Sequence, residues 1–328
     1  YMDGDWETPD LAALLEFGDR NLDKLGGVHA GDSTALWLAR RLWHALNANT
    51  RRGSKRNIAA HYDLGNNFYS RWLDATMTYS CALFARPETD LAEAQRAKYG
   101  AIADKLALAP GRRVLEIGCG WGGFASFAAR ERQANVTAIT ISREQLDFVR
   151  ARIQREGLGE RVDARLVDYR DLQGKFDAVA SIEMFEAVGE KYWPAFFDKV
   201  ASSLEPGGRA ALQIITIADR WFEGYRKGVD FIQRYIFPGG MLPSPGALAR
   251  EAARAGLKID RQEFYGQHYA HTLGLWHERF RAAWPEIAPL GFDLRFRRMW
   301  EFYLAYCQAG FRSGSIDLTQ LALVRPSN

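Results

Sequence analysis

From Arg113 onward, apolar residues fall into short runs separated by longer segments in which they recur every three or four positions. The runs "RVLEIG", "NVTAITIS", "DARLVD", "FDAVASI" and "RAALQIITI" have the length and β-branched content of buried strands. Between them, "GGFASFAARER", "REQLDFVRARIQRE" and "KYWPAFFDKVASSL" carry helical spacing. Ser142 is placed to cap the second of these helices and Gly157 to end it. Such alternation predicts an α/β fold, a parallel sheet with helices on both faces. Two further strand-like segments, near 258–269 and 316–325, flank a long helical region and read as the end of the same sheet.

Upstream, residues 8–50 read as helical, with an amphipathic stretch at 34–49, "TALWLARRLWHALNAN". Residues 57–84 are dense in aromatics and punctuated by Asn, Gly and Asp, as suits a packed lid or loop. "LAEAQRAKYGAIADKLAL" (91–108) predicts an amphipathic helix closed by Pro110 and Gly111. After Ile217 an aromatic, mixed-charge insertion runs over about 218–245. These patterns divide the chain into an N-terminal helical segment, 1–56, and one large domain, 57–328, carrying the insertion as a helical lid.

Composition adds limits. The 328 residues are 47% hydrophobic and 25% charged, which is ordinary globular usage. A net charge of +3 does not point to nucleic acid. Basic residues cluster at Arg51–Arg56 and in "RFRR", Arg295–Arg298, as solvated helix faces or as contacts to anionic head groups. Cys81, Cys119 and Cys307 show no metal-ligand spacing and no disulfide framework, so no metal is expected and a reducing, cytoplasmic setting is. No apolar run approaches a bilayer span. The first residue is Tyr1, so the expectation is a trimmed chain.

"VLEIGCGWGGFASF" places Gly118-x-Gly120-x-x-Gly123 between a strand and a helix. Glycine lets a ligand approach the backbone, and the helix N-terminus offers free N–H donors. Taken alone the motif is weak, and a dinucleotide site is the rival. That rival needs an acid about 20 residues on. The second strand ends instead in "TIS", with Thr140 and Ser142. The acid precedes the glycines, as Glu116, which resembles the first motif of the S-adenosylmethionine (SAM) methyltransferases. Asp168, ending the third strand, matches where such enzymes touch adenine.

"HYDLGNNFYSRWLDATMTYSCALF", "LEIGCGWGGFA", "TISREQ", "SIEMFEAVG", "FIQRYIFPGGMLP" and "AYCQAGFRSG" together resemble a narrower group, the cyclopropane fatty acid synthases, including the mycolic acid cyclopropane synthases. The opening "YMDGDWETPDL" resembles the end of that family's small N-terminal domain, so 1–56 would be its remnant. The resemblance implies a Rossmann-like SAM-dependent methyltransferase fold: a mostly parallel seven-stranded sheet with flanking helices. It also implies methyl transfer from SAM to a cis double bond of a phospholipid acyl chain, at the inner face of the membrane by peripheral attachment; a homodimer stays open. Cofactor contacts would come from Tyr79, Ser80, Glu116, Gly118, Cys119, Gly120, Gly122, Thr140, Ile141, Gln145, Asp168 and Tyr169. Phe231, Tyr235, Ile236, Phe237 and Met241 of the insertion would cover the acyl chain.

Methyl transfer to an alkene leaves a carbocation, and a base must remove a proton to finish the reaction. In the resembled family a bicarbonate ion serves, gripped by a glutamate, a histidine, a tyrosine and a cysteine. Residue by residue these are Glu186, an absent histidine, Tyr269, and Cys81 through its backbone. Ile215 stands at the histidine's place, which opens cyclopropane, methylene-branched and methyl-branched products alike. His268 is a candidate substitute, though more readily a polar residue near the rim. Cys307 matches a cysteine once proposed as nucleophile and reads as structural, since the chemistry needs no thiolate. Glu183, three residues before Glu186, reads as strand-end support. Plant alkaloid N-methyltransferases share "SIEMFE" and the glycine loop, so methylation of a small amine stays open, as does a SAM-binding protein without catalysis.

Overall fold

The computed structural model describes residues 1–21, 24 and 64–327; the amphipathic stretch 34–49 and the basic run Arg51–Arg56 lie outside the described residues. All five expected strands form: β1 (Arg113–Ile117), β2 (Asn135–Thr140), β3 (Val162–Leu166), β4 (Phe176–Ile182) and β5 (Leu204–Ile217). With β6 (Lys258–Phe264) and β7 (Ile316–Val324) they make one seven-stranded sheet, ordered β3-β2-β1-β4-β5-β7-β6. Only β7 runs against its neighbours. β6 stops at Phe264, short of the expected 269. Two residues on, Gly266 donates its N–H to Asp317 Oδ1 and begins a helix, which carries Tyr269 out of the sheet.

Helices α1 (Leu11–Arg20), α2 (Asn66–Tyr69) and α3 (Leu91–Lys105) precede the sheet. The Asp90 carboxylate caps α3 by accepting from the N–H groups of Ala92 and Glu93. α4 (Gly123–Glu131) and α5 (Arg143–Arg155) follow β1 and β2, and the Ser142 hydroxyl caps α5 as its sequence predicts. They pack with α3 on one face of the sheet through Ile102, Phe124, Leu146 and Val149. On the other face, α6 (Trp193–Ser203) brings Phe196, Phe197 and Val200 against Val179 and Leu212. The insertion forms α7 (Asp219–Tyr225) and α8 (Phe231–Tyr235), the latter held by a capping box between Asp230 and Gln233. α9 (Pro245–Arg254) joins the α6 face through Ala247, Leu248 and Ala252.

The long pair α10 (Gly266–Ile287) and α11 (Leu294–Ser313) closes a third, aromatic core. Phe68, Tyr69 and Trp72 pack there on Trp276, Phe280 and Trp300, so the aromatic stretch before residue 84 is a core element, not an independent lid. The "RFRR" arginines are engaged: Arg295 with Asp3, Arg298 with Glu7 and Arg297 with Glu301. Among the described residues no helix is long and apolar enough to cross a membrane.

Strand order reverses at β1, whose neighbours are β2 and β4, and ligands bind such sheets in the crevice outside the strand ends. Buried Arg152 of α5 fastens the rim. Its guanidinium donates to Thr76 O at 3.0 Å and Trp121 O at 2.8 Å, and to Glu156 at 3.1 Å. Removing it strands two backbone acceptors in the loops on either side of the crevice. Arg152→Ala is expected to cost about 2–3 kcal/mol of unfolding free energy in urea titration. A loss below about 0.5 kcal/mol, the range of surface substitutions, would refute the fastening role.

Candidate active site

A cavity of about 1540 Å³ opens at the carboxyl ends of β1, β2, β4 and β5. Its floor is the turn after β1. Gly118 has φ +79°, and a Cβ there would lie 2.6 Å from the Met184 side chain, because the ends of β1 and β4 converge. Gly120, at φ +52°, has no atom within 4 Å of where a Cβ would be, so bare backbone meets open space. Gly123 must be small as well, since Tyr99 Oη lies 2.1 Å from its would-be Cβ. The turn thus presents backbone to a ligand at the head of α4.

Around that turn stand most of the cofactor candidates. Tyr79, Ser80, Glu116, Cys119, Thr140, Ile141, Gln145, Asp168 and Tyr169 all line the cavity. Gly122 does not; it caps α4 at φ +80° and packs on Val149. Thr140 Oγ1 donates to Gln145 Oε1 at 2.8 Å, leaving the amide NH₂ of Gln145 for a partner. Asp168 is held by Arg170 at 2.5 Å. Glu116 is buried with Oε2 lacking any hydrogen bond, and burial pushes its carboxyl up to about 8. Nearby Lys98, fully buried, donates to Ser80 Oγ at 2.6 Å. Burial pulls its ammonium down to about 8, against the favourable charges of Glu183, Asp74 and Glu116.

The two glutamates after β4 reach the same wall by different routes. Glu183 sits at φ +51°, a region costing a non-glycine residue about 1–3 kcal/mol. Its carboxylate collects three donors: Cys81 N at 2.9 Å, Gln213 Nε2 at 2.7 Å and Tyr269 Oη at 2.5 Å. Glu186 accepts one, Ile215 N at 2.6 Å, and its Oε2 is buried without a partner. Burial raises both carboxyls. Glu183 is drawn back by its donors and by Lys98. Glu186 is raised further by the charge of Glu183, to about 8. The three donors and Lys98 oppose the rise at Glu183, whereas Glu186, with one donor, is pushed up to about 8 and keeps its proton at neutral pH.

The remaining candidates divide. Phe237 and Met241 line the cavity, along with Leu14, Leu15, Ile232 and Leu242. Phe231, Tyr235 and Ile236 are not in the wall: Phe231 packs on Phe302 and Tyr235, and Ile236 is buried in the aromatic core. His268 is not in the wall either, because its Nδ1 accepts from Phe84 N at 3.1 Å and its ring stacks on Phe84. Cys81 contributes its backbone N–H, while its thiol is buried and pushed up by burial and by Glu183. Cys307 lines the cavity, yet burial also raises its thiol, which disfavours a thiolate nucleophile.

Sequence reasoning missed Gln213, Lys98 and the full weight of Glu183. A glutamine inside "LQIITI" and a lysine on the buried face of α3 were the available signals. Gln213 is itself oriented by Gln320 Nε2, 2.9 Å from its Oε1 across the β5–β7 ladder.

Residues 49–321 match the family described as mycolic acid cyclopropane synthetase. The tuberculostearic acid methyltransferase of Mycobacterium tuberculosis is 41% identical over 99% of this chain and 77% of its own. The cyclopropane-fatty-acyl-phospholipid synthase of Escherichia coli K12 is 39% identical over 99% of this chain and 81% of its own. Among solved structures, a mycolic acid cyclopropane synthase complexed with SAH and CTAB superposes with a TM-score of 0.78 at 32% identity, covering 82% of this chain and 98% of that one. The glycine cradle, the unpartnered Glu116 oxygen and the free amide of Gln145 suit an amino-acid and ribose-bearing cofactor. The chain belongs to the mycolic acid cyclopropane synthetase family of SAM-dependent methyltransferases.

Proposed function

We propose that this protein methylates a cis double bond in the acyl chain of a phospholipid. The observation that carries the reading is one cavity whose wall holds the glycine turn with its polar neighbours, both glutamates, and apolar side chains of β5 and the insertion. Bound SAM supplies an electrophilic methyl group. The backbone of Gly118 and Gly120, with Glu116, Thr140, Gln145 and Asp168, would hold it. Ile215, Ile232, Phe237, Met241 and Leu242 would align the acyl chain and keep water from the cation, which supports the lipid reading. Peripheral attachment at a membrane surface would let the chain enter without a spanning helix.

Ring closure to a cyclopropane is the simplest product. A methylene- or methyl-branched chain is the second reading. It is favoured by Ile215, which offers no side-chain donor, and by the 41% identity with the tuberculostearic acid methyltransferase. A hydride shift before proton loss from the transferred methyl would give the methylene branch from the same cation, and a saturated methyl branch would need a separate reductant to supply a hydride.

Protein incubated with methyl-labelled SAM and vesicles of unsaturated phospholipid is expected to add one CH₂ to the acyl chains, read by mass spectrometry, with none added to saturated vesicles. NMR of the product separates ring from branch. Label in a soluble amine instead, with none in lipid, would sink this reading.

Glu116 supplies a second expectation. It is protonated below about 8 in the free protein, and a cationic ligand beside it favours the carboxylate. Glu116 therefore gives up a proton when SAM binds. Affinity rises as pH increases toward about 8 and levels off above it, where Glu116 is already ionised. Titration calorimetry near pH 7 in buffers of different ionisation enthalpy is expected to show proton release that Glu116→Gln removes. Equal release from the variant would place the proton elsewhere.

A further inference from the structure

We propose that Glu183 is the base that accepts the final proton, so that the chain carries its own carboxylate and needs no bicarbonate. This rests on the methyl transfer to an alkene set out above. The resemblance to cyclopropane synthases implies a bicarbonate held by the Cys81 N–H and the Tyr269 hydroxyl. Both donors are already bonded to Glu183, at 2.9 and 2.5 Å, and Gln213 adds a third bond at 2.7 Å. An external anion would have to displace a covalently tethered carboxylate from a matched set of three donors. The tether is held at φ +51°, a backbone conformation suited to glycine. Strain retained at such a position, with the surroundings built to hold the side chain, points to function.

Competing bases are poorly placed. Glu186 has one donor and carries the proton at neutral pH. His268 is turned to Phe84, and the raised Cys307 thiol disfavours a thiolate. Glu183 lines the cavity beside Ile215 and Tyr269. In the last step a C–H bond breaks and its proton passes to a Glu183 oxygen: a bond of the transferred methyl, one carbon removed from the cationic centre, if the ring closes, or a bond next to the cationic centre if a C=C bond forms. The electron pair of that bond closes a ring or forms a C=C bond. The positive charge brought by the transferred methyl leaves the lipid as this proton, and Glu183 becomes a neutral acid that Tyr269 and Gln213 continue to orient.

The test is methyl transfer to unsaturated phospholipid vesicles in buffer freed of dissolved carbon dioxide, with and without added bicarbonate. The wild-type rate is expected to change by less than about twofold. Glu183→Gln keeps the shape but not the basicity, and is expected to lose about 100-fold or more in turnover while SAM affinity stays within a few-fold. Glu183→Gly suits the backbone and frees all three donors. It is expected to be slow without bicarbonate and to regain at least about tenfold when bicarbonate or formate is added. A wild type that requires bicarbonate, or an active Glu183→Gln variant, overturns the proposal. If the wild type methylates no unsaturated lipid, the functional reading fails first and takes this one with it. If the wild type and Glu183→Gln both methylate, only the base assignment falls.

Discussion

The site depends on one carboxylate held by three elements far apart in sequence. Cys81 comes from the loop before α3, Gln213 from the middle of β5 and Tyr269 from the first turn of α10. Each donor is buried, so each would cost free energy if left unmade. Glu183 satisfies all three and thereby fixes the spacing between the loop, the sheet and the aromatic core. The network continues through Gln213 to Gln320, which ties the site to β7 in register. Tyr269 is in turn stacked on Phe311 of α11, at 4.4 Å between ring centroids. Pre-organised dipoles of this kind do not reorient as charge moves, which is what a methyl-transfer site requires.

The scaffold was legible because its signals are local. Strand and helix periods, the Ser142 cap and the glycine turn depend on residues within a few positions of one another, and each formed as the pattern predicts. Glu183 was not legible, because its meaning lies in partners 30, 86 and 102 residues away. Nor does periodicity reveal a positive φ at a glutamate. The aromatic insertion misled in the ordinary way: an aromatic residue fills a core as readily as it lines a cavity, and Phe231 and Ile236 went to packing, Tyr235 to the surface, and Phe237 and Met241 to the wall. The "RFRR" charges looked free in sequence because their partners, Asp3, Glu7 and Glu301, are mostly distant in the chain.

Electrostatics in this cavity are shared, not assigned one residue at a time. Lys98 is the cation nearest the buried carboxylates and influences both Glu116 and Glu183. Its compact ammonium, bonded to Ser80, sits behind the loop that also supplies Cys81 N. Burial pushes Glu116 and Glu186 up to about 8, while three donors and Lys98 oppose the rise at Glu183. Two ionised glutamates there would repel in a low-dielectric setting, so the asymmetry of their donors decides which keeps the charge.

Ile215, where the resemblance implies a histidine, stands on β5. Residues 213 and 215 point to the same face of the strand, two positions apart. At 215 the side chain offers nothing polar, yet the backbone N–H still reaches Glu186, a contact no substitution other than proline removes. At 213 a glutamine supplies the side-chain donor and aims it at Glu183. On β5 the side-chain donor therefore stands at 213 and not at 215. One strand thus grips the two carboxylates unequally, a side-chain amide holding Glu183 and a single backbone N–H holding Glu186, while the glycine turn that would hold the cofactor follows β1 and is untouched by either.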